Sequence, residues 1–274
     1  MKSLYLNTEQ LKKLQTEMLS LLVEFDRICI KYNIPYFLFA GTLLGATRHH
    51  GFIPWDDDID VAMHRKDYNK FKEVVKKELD QNTYFFQSQE TDQYYNWVFD
   101  RLRLNNTVYK RVGQEHLKYH SGIFLDIFPL DDLSENKLKQ FITINMCKIC
   151  KKALWAPVGV KHGKNMIHRL VFKLLNYIPR RLLIFIYEYF AITFNKKKTS
   201  LIASHNVSTI IFKKEWCQES IKLEFEDLKF YAPIKYHDFL EEHYGNYMKL
   251  PPEEERKGHH YVSYIKFSDG EEVK

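Results

Sequence analysis

The chain of 274 residues is long enough for about two domains. Its composition, 45% hydrophobic and 28% charged, excludes the disordered and collagen-like classes, and its net charge of +6 points towards anionic partners. Four cysteines and a start without the apolar run of a secretory signal predict a reducing, cytoplasmic setting.

The N-terminal part predicts two helices with a strand between them. Apolar residues recur at helical spacing over 7–31, which predicts an amphipathic helix. The aromatic run 36–40, bounded by proline and glycine, predicts a buried strand. After it the chain is expected to turn at Gly41 and Thr42 into a short helix that reaches Arg48.

A dense acidic group follows this short helix. Segment 58–63 alternates acidic and apolar residues, as a half-buried strand does. Four acids lie within positions 56–60, where they repel one another unless a cation neutralises them. Asp58 and Asp60 would share one face of the strand and could bind one hard divalent cation. The alternative is a solvated acidic turn that caps a helix.

The turn at Gly41 and Thr42 is the predicted neighbour of these acids. Backbone N–H groups at a helix N-terminus can hold phosphate oxygens. Arg48 could add a charge-assisted contact to the same phosphate. The sequence therefore predicts a phosphate site beside a cation site.

A third acid of this kind occurs further along the chain. Segment 67–79 predicts a helix, and short strands are predicted at 84–89, 97–104 and 123–128. Asp126 lies in the last of these strands, where an uncompensated charge among apolar residues would be costly. It is the candidate for the carboxylate that completes a two-metal site for phosphoryl transfer.

Two arginines alternate with apolar residues on the strand predicted over 97–104. Arg101 and Arg103 are two positions apart and therefore face the same side of that strand. They could bind a diphosphate, and the alternative is a salt bridge to the acidic group.

After residue 134 the chain is predicted to be mainly helical and basic. The stretch from Lys137 to Lys198 holds 14 of the 41 basic residues but only one of the 35 acidic residues, Glu188. This asymmetry favours a phosphate-rich ligand, nucleic acid or an anionic membrane as partner. Nucleic acid is not expected, because no signature of a nucleic-acid-binding module is present.

Apolar residues at helical spacing interrupt the basic ones in this stretch. Met166, Leu170 and Leu174 share a helix face, and a short apolar run follows from Leu182 to Phe194. The pattern predicts peripheral contact with an anionic membrane, and a helical core with a solvated basic rim is the alternative. No apolar run reaches the roughly 18–20 residues of a spanning helix.

Three segments carry a resemblance to a known family. The strings at 41–60, 121–131 and 244–252 resemble the motifs of the LicD family, in the family's order. That family contains bacterial phosphocholine transferases and is related to fukutin-type ribitol-phosphate transferases. Two positions depart from its pattern: Thr47 stands where valine or isoleucine is common, and Asn246 where aspartate is common. The likeness is weakest across the helical middle.

The resemblance implies an α/β, nucleotidyltransferase-like core with a mixed sheet and a CDP-activated donor. By this resemblance Asp58, Asp60 and Asp126 are expected to be catalytic and to bind Mg²⁺, with Mn²⁺ as the alternative. Asp126 would either bind a second metal ion or take the hydroxyl proton. The expected reaction moves a phospho-alcohol, foremost phosphocholine, to a sugar hydroxyl of a cell-surface or lipid-linked glycan and releases CMP. Choline, ethanolamine, ribitol and glycerol all stay open as the donor alcohol.

A division of the chain into three parts follows from these observations. We expect a catalytic core over 1–134, a helical basic region over 135–235, and a C-terminal segment over 236–274 that packs back near the active site. In that last segment, His259 and His260 could contact donor or acceptor phosphate, and a surface pair is the alternative.

Two other functions fit parts of the sequence. A nucleotidyltransferase that moves AMP from ATP to a small molecule would use the same acids. A non-enzymatic module that binds a membrane or a polyanion would use only the basic region. The intact set of three acids argues against the second of these.

Overall fold

The computed structural model describes residues 3–206, 209–256, 258 and 262–274. The helices within these residues are α1 (Thr8–Lys31), α2 (Ala40–His49), α3 (Arg65–Glu78), α4 (Lys137–Leu154), α5 (Ala156–His162), α6 (Met166–Leu175), α7 (Arg180–Ala191) and α8 (Tyr236–Tyr244). The strands are β1 (Phe37–Leu38), β2 (Asp60–His64), β3 (Tyr84–Gln87), β4 (Asp100–Leu104), β5 (Val108–Arg111), β6 (Phe124–Leu133), β7 (Leu201–Ser204), β8 (Ile210–Lys213), β9 (Ser220–Phe225), β10 (Leu228–Pro233), β11 (Val262–Lys266) and β12 (Glu272–Val273). Short 3₁₀ helices cover Lys214–Cys217 and Glu253–Glu255.

A mixed sheet of seven strands forms the centre of the molecule. Its main path runs β1-β2-β6-β4-β3, with β7 and β8 continuing from β6. The β2–β6 pair is parallel, and the other neighbours in this sheet are antiparallel. All ten residues of β6 are buried, so this strand is the axis of the sheet. The α/β fold with a mixed sheet predicted from the sequence is confirmed.

The first helix covers the core, as its pattern predicts. Asn7 caps α1 by accepting from the backbone N–H of Gln10, whose side chain in turn accepts from the Asn7 backbone. The apolar stripe of α1, including Leu14, Leu21 and Phe25, is fully buried in the main hydrophobic core.

The region over 135–235, which was predicted to be mainly helical, also contains strands. Helices α4 to α7 occupy it up to Ala191, but four strands, β7 to β10, follow between Leu201 and Pro233. Helical residues still outnumber strand residues in this region, and the four strands were not predicted from the sequence. The segment 220–225 alternates polar and apolar residues with a period of two, which is the pattern of a strand with one exposed face. The three-part division of the chain stays a prediction.

Helices α4, α6 and α7 leave much apolar surface exposed. Helix α7 buries Leu183, Tyr187 and Ala191, and the last two of these pack in a cluster with cysteines of α4. In contrast, α6 has no buried residue. Among the described residues, no helix combines the length and hydropathy that crossing a bilayer requires.

The two ends of the described chain meet. The Leu4 backbone N–H donates to the Val262 carbonyl at 2.7 Å, and Lys13 of α1 contacts Asp269 and Glu271 at 2.5 Å each. Strand β11 also pairs with β5. The C-terminal segment is thereby tied both to the first helix and to a strand that reaches the cavity described next.

Candidate active site

An acidic cavity of about 510 Å³ opens where β1 leads into α2 and the acidic loop leads into β2. Its charged lining residues are Asp56, Asp57, Asp58, Asp60, Asp126, Arg101 and Arg111. Ala40 and Gly41, the first residues of α2, also line it. Ala40 has φ of 46°, a left-handed conformation that is unfavourable for alanine, so the turn into α2 carries backbone strain.

Two of the predicted acids are neighbours in the central sheet. Asp60 on β2 is in register with Asp126 on the parallel strand β6, so both carboxylates lie on the cavity side of the sheet. The Thr42 hydroxyl accepts from the Asp60 backbone N–H at 2.8 Å. The Asp126 backbone N–H donates to the Ile59 carbonyl at 3.0 Å. Asp58 lines the same cavity, so the three predicted acids are brought together.

Burial and crowding raise the pKa of two acids in this group. The pKa of Asp60 lies well above its usual range because of burial, and then because of the charges of Asp58 and Asp126. Burial, followed by Asp58, raises the pKa of Asp56, whose carboxyl shares a hydrogen bond with that of Asp58. A buried group of acids of this density is stable only with bound protons or a bound cation.

The close approach of the acidic loop to α2 requires a glycine at position 41. A Cβ atom at Gly41 would lie 2.9 Å from Oδ2 of Asp56, closer than real Cβ contacts. A side chain there would therefore push the acidic loop away from the N-terminus of α2.

The donor chemistry of the cavity suits a hard cation, but the geometry does not form a closed metal site. Carboxylate oxygens of Asp58 and Asp60 are the ligands that Mg²⁺ prefers. Within the described ranges, however, no set of three or more His, Cys, Asp or Glu side chains is arranged so that it could hold a metal ion. Asp126 instead accepts from Arg101, Nε to Oδ1 at 2.5 Å and Nη2 to Oδ2 at 3.2 Å.

The two arginines of β4 have different surroundings. Arg101 lines the cavity and forms the salt bridge to the acidic group that the sequence left open as an alternative. Arg103 donates to Oε1 of Gln87 at 2.5 Å and to the Gly122 carbonyl, and it is not among the described residues that line the cavity. Burial lowers the pKa of Arg103 to about 9, with the nearby Arg101 as a further cause.

Of the predicted phosphate-binding residues, Gly41 and Arg101 line the cavity in the part of the chain that is described. Arg48 donates to the Tyr247 carbonyl at 2.8 Å and to Nε2 of His49 at 2.9 Å, so it fixes the C-terminal segment. Thr42 fixes the start of β2, as described above. His259 and His260 lie outside the described residues.

Several cavity residues are not singled out by the sequence. Tyr109 donates to Oδ2 of Asp57 at 3.0 Å, and Arg111 is a cation that acts on Asp60. Both lie on β5, a short strand with no strong signal of its own. Tyr244 on α8 also lines the cavity, and burial raises its pKa. Tyr244 could have been found, since it opens the family-like segment 244–252.

The mixed sheet and its acidic cavity at a strand-to-helix turn define a nucleotidyltransferase-like protein. A family model described as "LicD/FKTN/FKRP, nucleotidyltransferase domain" matches residues 33–154. The Haemophilus influenzae protein named "Lipopolysaccharide cholinephosphotransferase LicD" is 32% identical over 259 residues, 91% of this chain and 96% of that protein. The chain therefore belongs to the LicD family.

Two shorter similarities fall on proteins without a described activity. An uncharacterized protein of Rickettsia typhi is 40% identical over 55 residues, which are 20% of this chain and 18% of that protein. An uncharacterized protein of Rickettsia prowazekii is 34% identical over 76 residues, 26% and 29% of the two chains. They add no information on the reaction.

Proposed function

We propose that this protein transfers phosphocholine from CDP-choline to a sugar hydroxyl of a cell-surface glycan and releases CMP. The proposal rests on the similarity to the Haemophilus cholinephosphotransferase, which extends over nearly the whole of both chains. The structural observation that carries it is the register of Asp60 beside Asp126 on parallel strands, next to the N-terminus of α2.

The chemistry of this transfer assigns a task to each side of the cavity. The sugar hydroxyl oxygen attacks the phosphorus that carries the choline, and the bond from that phosphorus to the oxygen bridging to CMP breaks. The hydroxyl proton passes to Asp126, which Arg101 holds in place. Backbone N–H groups at the start of α2 are oriented to hold phosphate oxygens. Mg²⁺ or Mn²⁺ bound by Asp58 and Asp60 would neutralise diphosphate charge.

A donor screen with purified protein tests this function. CDP-choline, CDP-ethanolamine, CDP-ribitol, CDP-glycerol and ATP are offered separately with Mg²⁺ and a glycan acceptor, and CMP release is measured. We expect CMP from CDP-choline and no turnover after EDTA removes divalent metal. Transfer of AMP from ATP would establish the rival nucleotidyltransferase activity, and no turnover with any donor would favour the non-enzymatic module.

We also propose that the basic helices hold the protein at the inner face of an anionic membrane. Exposed apolar side chains of α6 and α7 include Met166, Leu170, Phe185 and Tyr189, with 86%, 57%, 69% and 62% of their surface accessible. The basic excess between Lys137 and Lys198 complements anionic lipid and would repel a second copy of the same surface. A lipid-linked acceptor would then be within reach of the cavity.

A further inference from the structure

A second cavity of about 330 Å³ adjoins the acidic one. Phe99 and Asn206 line both cavities, so the two share a boundary. Trp97 and Trp155 form part of its wall, and lysines of α4 lie along it. None of the reaction steps described above uses this second cavity.

The tryptophans give this cavity an aromatic wall. The rings of Trp97 and Trp155 meet edge to face, with centroids 5.0 Å apart and an angle of 66° between planes. Trp97 also packs on Phe99, at 5.4 Å between centroids. Rigid aromatic walls with a few polar groups are typical of small-molecule sites. Flat rings of this kind suit the apolar face of a sugar ring.

Polar atoms at this cavity lack partners in the described part of the chain. Asn96 is only 7% exposed, yet neither its Nδ2 nor its Oδ1 has a hydrogen-bond partner among the described residues. The buried Nε1 of Trp97 likewise has no hydrogen-bond partner among the described residues. A buried polar atom without a partner costs about 1–3 kcal/mol. The Asn96 amide offers both a donor and an acceptor, which match the hydroxyl groups of a sugar.

The charge at the cavity is positive. Lys148, Lys151 and Lys152 are spaced so that they share one face of α4. Lys151 is held inward, because its Nζ donates to the carbonyls of His205 and Asn206. Lys148 and Lys152 are exposed. The described lining residues include no acid, so an anionic ligand is favoured and the choline cation is disfavoured.

We propose that the cavity walled by Trp97 and Trp155 is the acceptor subsite and binds a sugar that carries a phosphate group. The sugar ring lies against the tryptophans, its hydroxyls bond to Asn96, and its phosphate lies at Lys148 and Lys152. A further hydroxyl then reaches past Phe99 into the acidic cavity. The role as acceptor rests on the proposed transferase function, whereas the binding of a phosphorylated sugar does not.

A binding experiment with the full chain tests the subsite. Glucose 6-phosphate is titrated into the protein without donor, and binding is followed by saturation-transfer NMR, with glucose and inorganic phosphate as comparison ligands. We expect glucose 6-phosphate to bind more tightly than either. Equal binding of inorganic phosphate, or no binding of glucose 6-phosphate, would overturn the proposal.

Charge reversal at the mouth locates the binding. The double variant Lys148→Glu/Lys152→Glu is expected to weaken glucose 6-phosphate binding by about tenfold or more. Lys139→Glu, an exposed change on the same helix outside the cavity, is the matched control and is expected to have an effect of less than about twofold. Equal effects of the two variants would count against the subsite. Both changes are on the surface, and thermal melting checks that the fold is retained.

Kinetics separate this proposal from the proposed function. In the transfer reaction, the double variant is expected to raise KM for a phosphorylated acceptor while KM for CDP-choline stays unchanged. Phosphocholine transfer that proceeds with unchanged acceptor KM would refute the subsite and leave the function standing. Specific binding of glucose 6-phosphate by a protein that uses no CDP donor would support the subsite and refute the function.

Discussion

Asp126 lies between two neighbours that affect it in opposite ways. On one side, the β2 strand places Asp60 in register with it; on the other, the β4 strand places Arg101 there. Arg101 is 2% exposed and its guanidinium lies over Phe124, so the ion pair is buried. Breaking such a pair by removing one partner leaves an uncompensated buried charge.

Neutral variants of the two neighbouring acids should therefore behave differently. Asp60→Asn is expected to lower turnover by about 100-fold or more, because it removes a carboxylate of the proposed catalytic group. Its melting temperature should stay equal or rise, because burial and repulsion already disfavour the charged form. Asp126→Asn should lower both turnover and melting temperature, since it leaves Arg101 without its partner. Full turnover by Asp60→Asn would contradict the proposed mechanism.

Asp100 provides a pH-dependent test of burial. It is 3% exposed on β4, and burial raises its pKa to about 6. An unfolded aspartate titrates near about 3.9. Between these values the native state binds the proton and the unfolded state does not. The free energy of unfolding should therefore contain a contribution that falls as pH rises from about 4 to about 6.

The Asp100→Asn variant should isolate this contribution. The unfolding free energy of the variant minus that of the wild type is expected to increase by up to about 3 kcal/mol from pH 4 to pH 7. Urea unfolding at several pH values measures the difference. The exposed Asp227→Asn is the control and should show no such trend. A difference that does not depend on pH would mean that Asp100 titrates normally in the folded protein.

At the scale of secondary structure, the most testable part of the proposed membrane contact is α7 together with the three lysines 196–198 that follow it. Arg180 is engaged with Gln89 and the Gln93 carbonyl, whereas Arg181 is exposed. Lysines 196–198 are exposed as well. These four exposed cations are the ones to change.

Reversal of Arg181 and residues 196–198 to glutamate should weaken binding to anionic vesicles by at least about tenfold, since each cation contributes about 1 kcal/mol near such a surface. Co-sedimentation with phosphatidylglycerol-containing vesicles measures this binding. Reversal of the exposed Lys222 and Lys229 on the β9–β10 hairpin is the matched control. If both sets have the same effect, the α7 surface is not the membrane contact.

The sequence predicted local elements better than distant pairings. Helix α1 has its cap and its apolar stripe within one segment, so periodicity was sufficient. Pairing of β5 with β11 joins residues more than a hundred positions apart, and no local pattern reports it. The contrast between local patterns and distant pairings also explains which residues of the site were predicted. Asp58 and Asp60 were predicted because crowded acids need a cation, and Asp126 because a charge among apolar strand residues is costly. No such local signal marks Tyr109 and Arg111 on β5, although both line the cavity.

At the scale of the whole molecule, the C-terminal segment stabilises the fold by packing on α1 and β5. Phe267 is fully buried, and Nζ of Lys13 lies 4.7 Å from the centre of its ring. Phe267→Ala should lower the free energy of unfolding by about 3–5 kcal/mol, as a cavity-creating change does. Val273→Ala, at a partly exposed position, should cost about 1 kcal/mol or less. Urea unfolding compares the two, and a small loss for Phe267→Ala would show that this segment is only loosely attached.

Ser3 and Lys274 line one cavity, so the first and last parts of the described chain are near neighbours. A short glycine-serine linker could join them and make the polypeptide a continuous ring. The ring could then be cut at the exposed turn around Gln81, on the opposite end of α3 from β2. Such a circular permutant would keep residues 84 to 274 and 3 to 78 as unbroken stretches. Its acidic cavity would therefore form from the same strands, although these strands would follow one another in a different order along the chain.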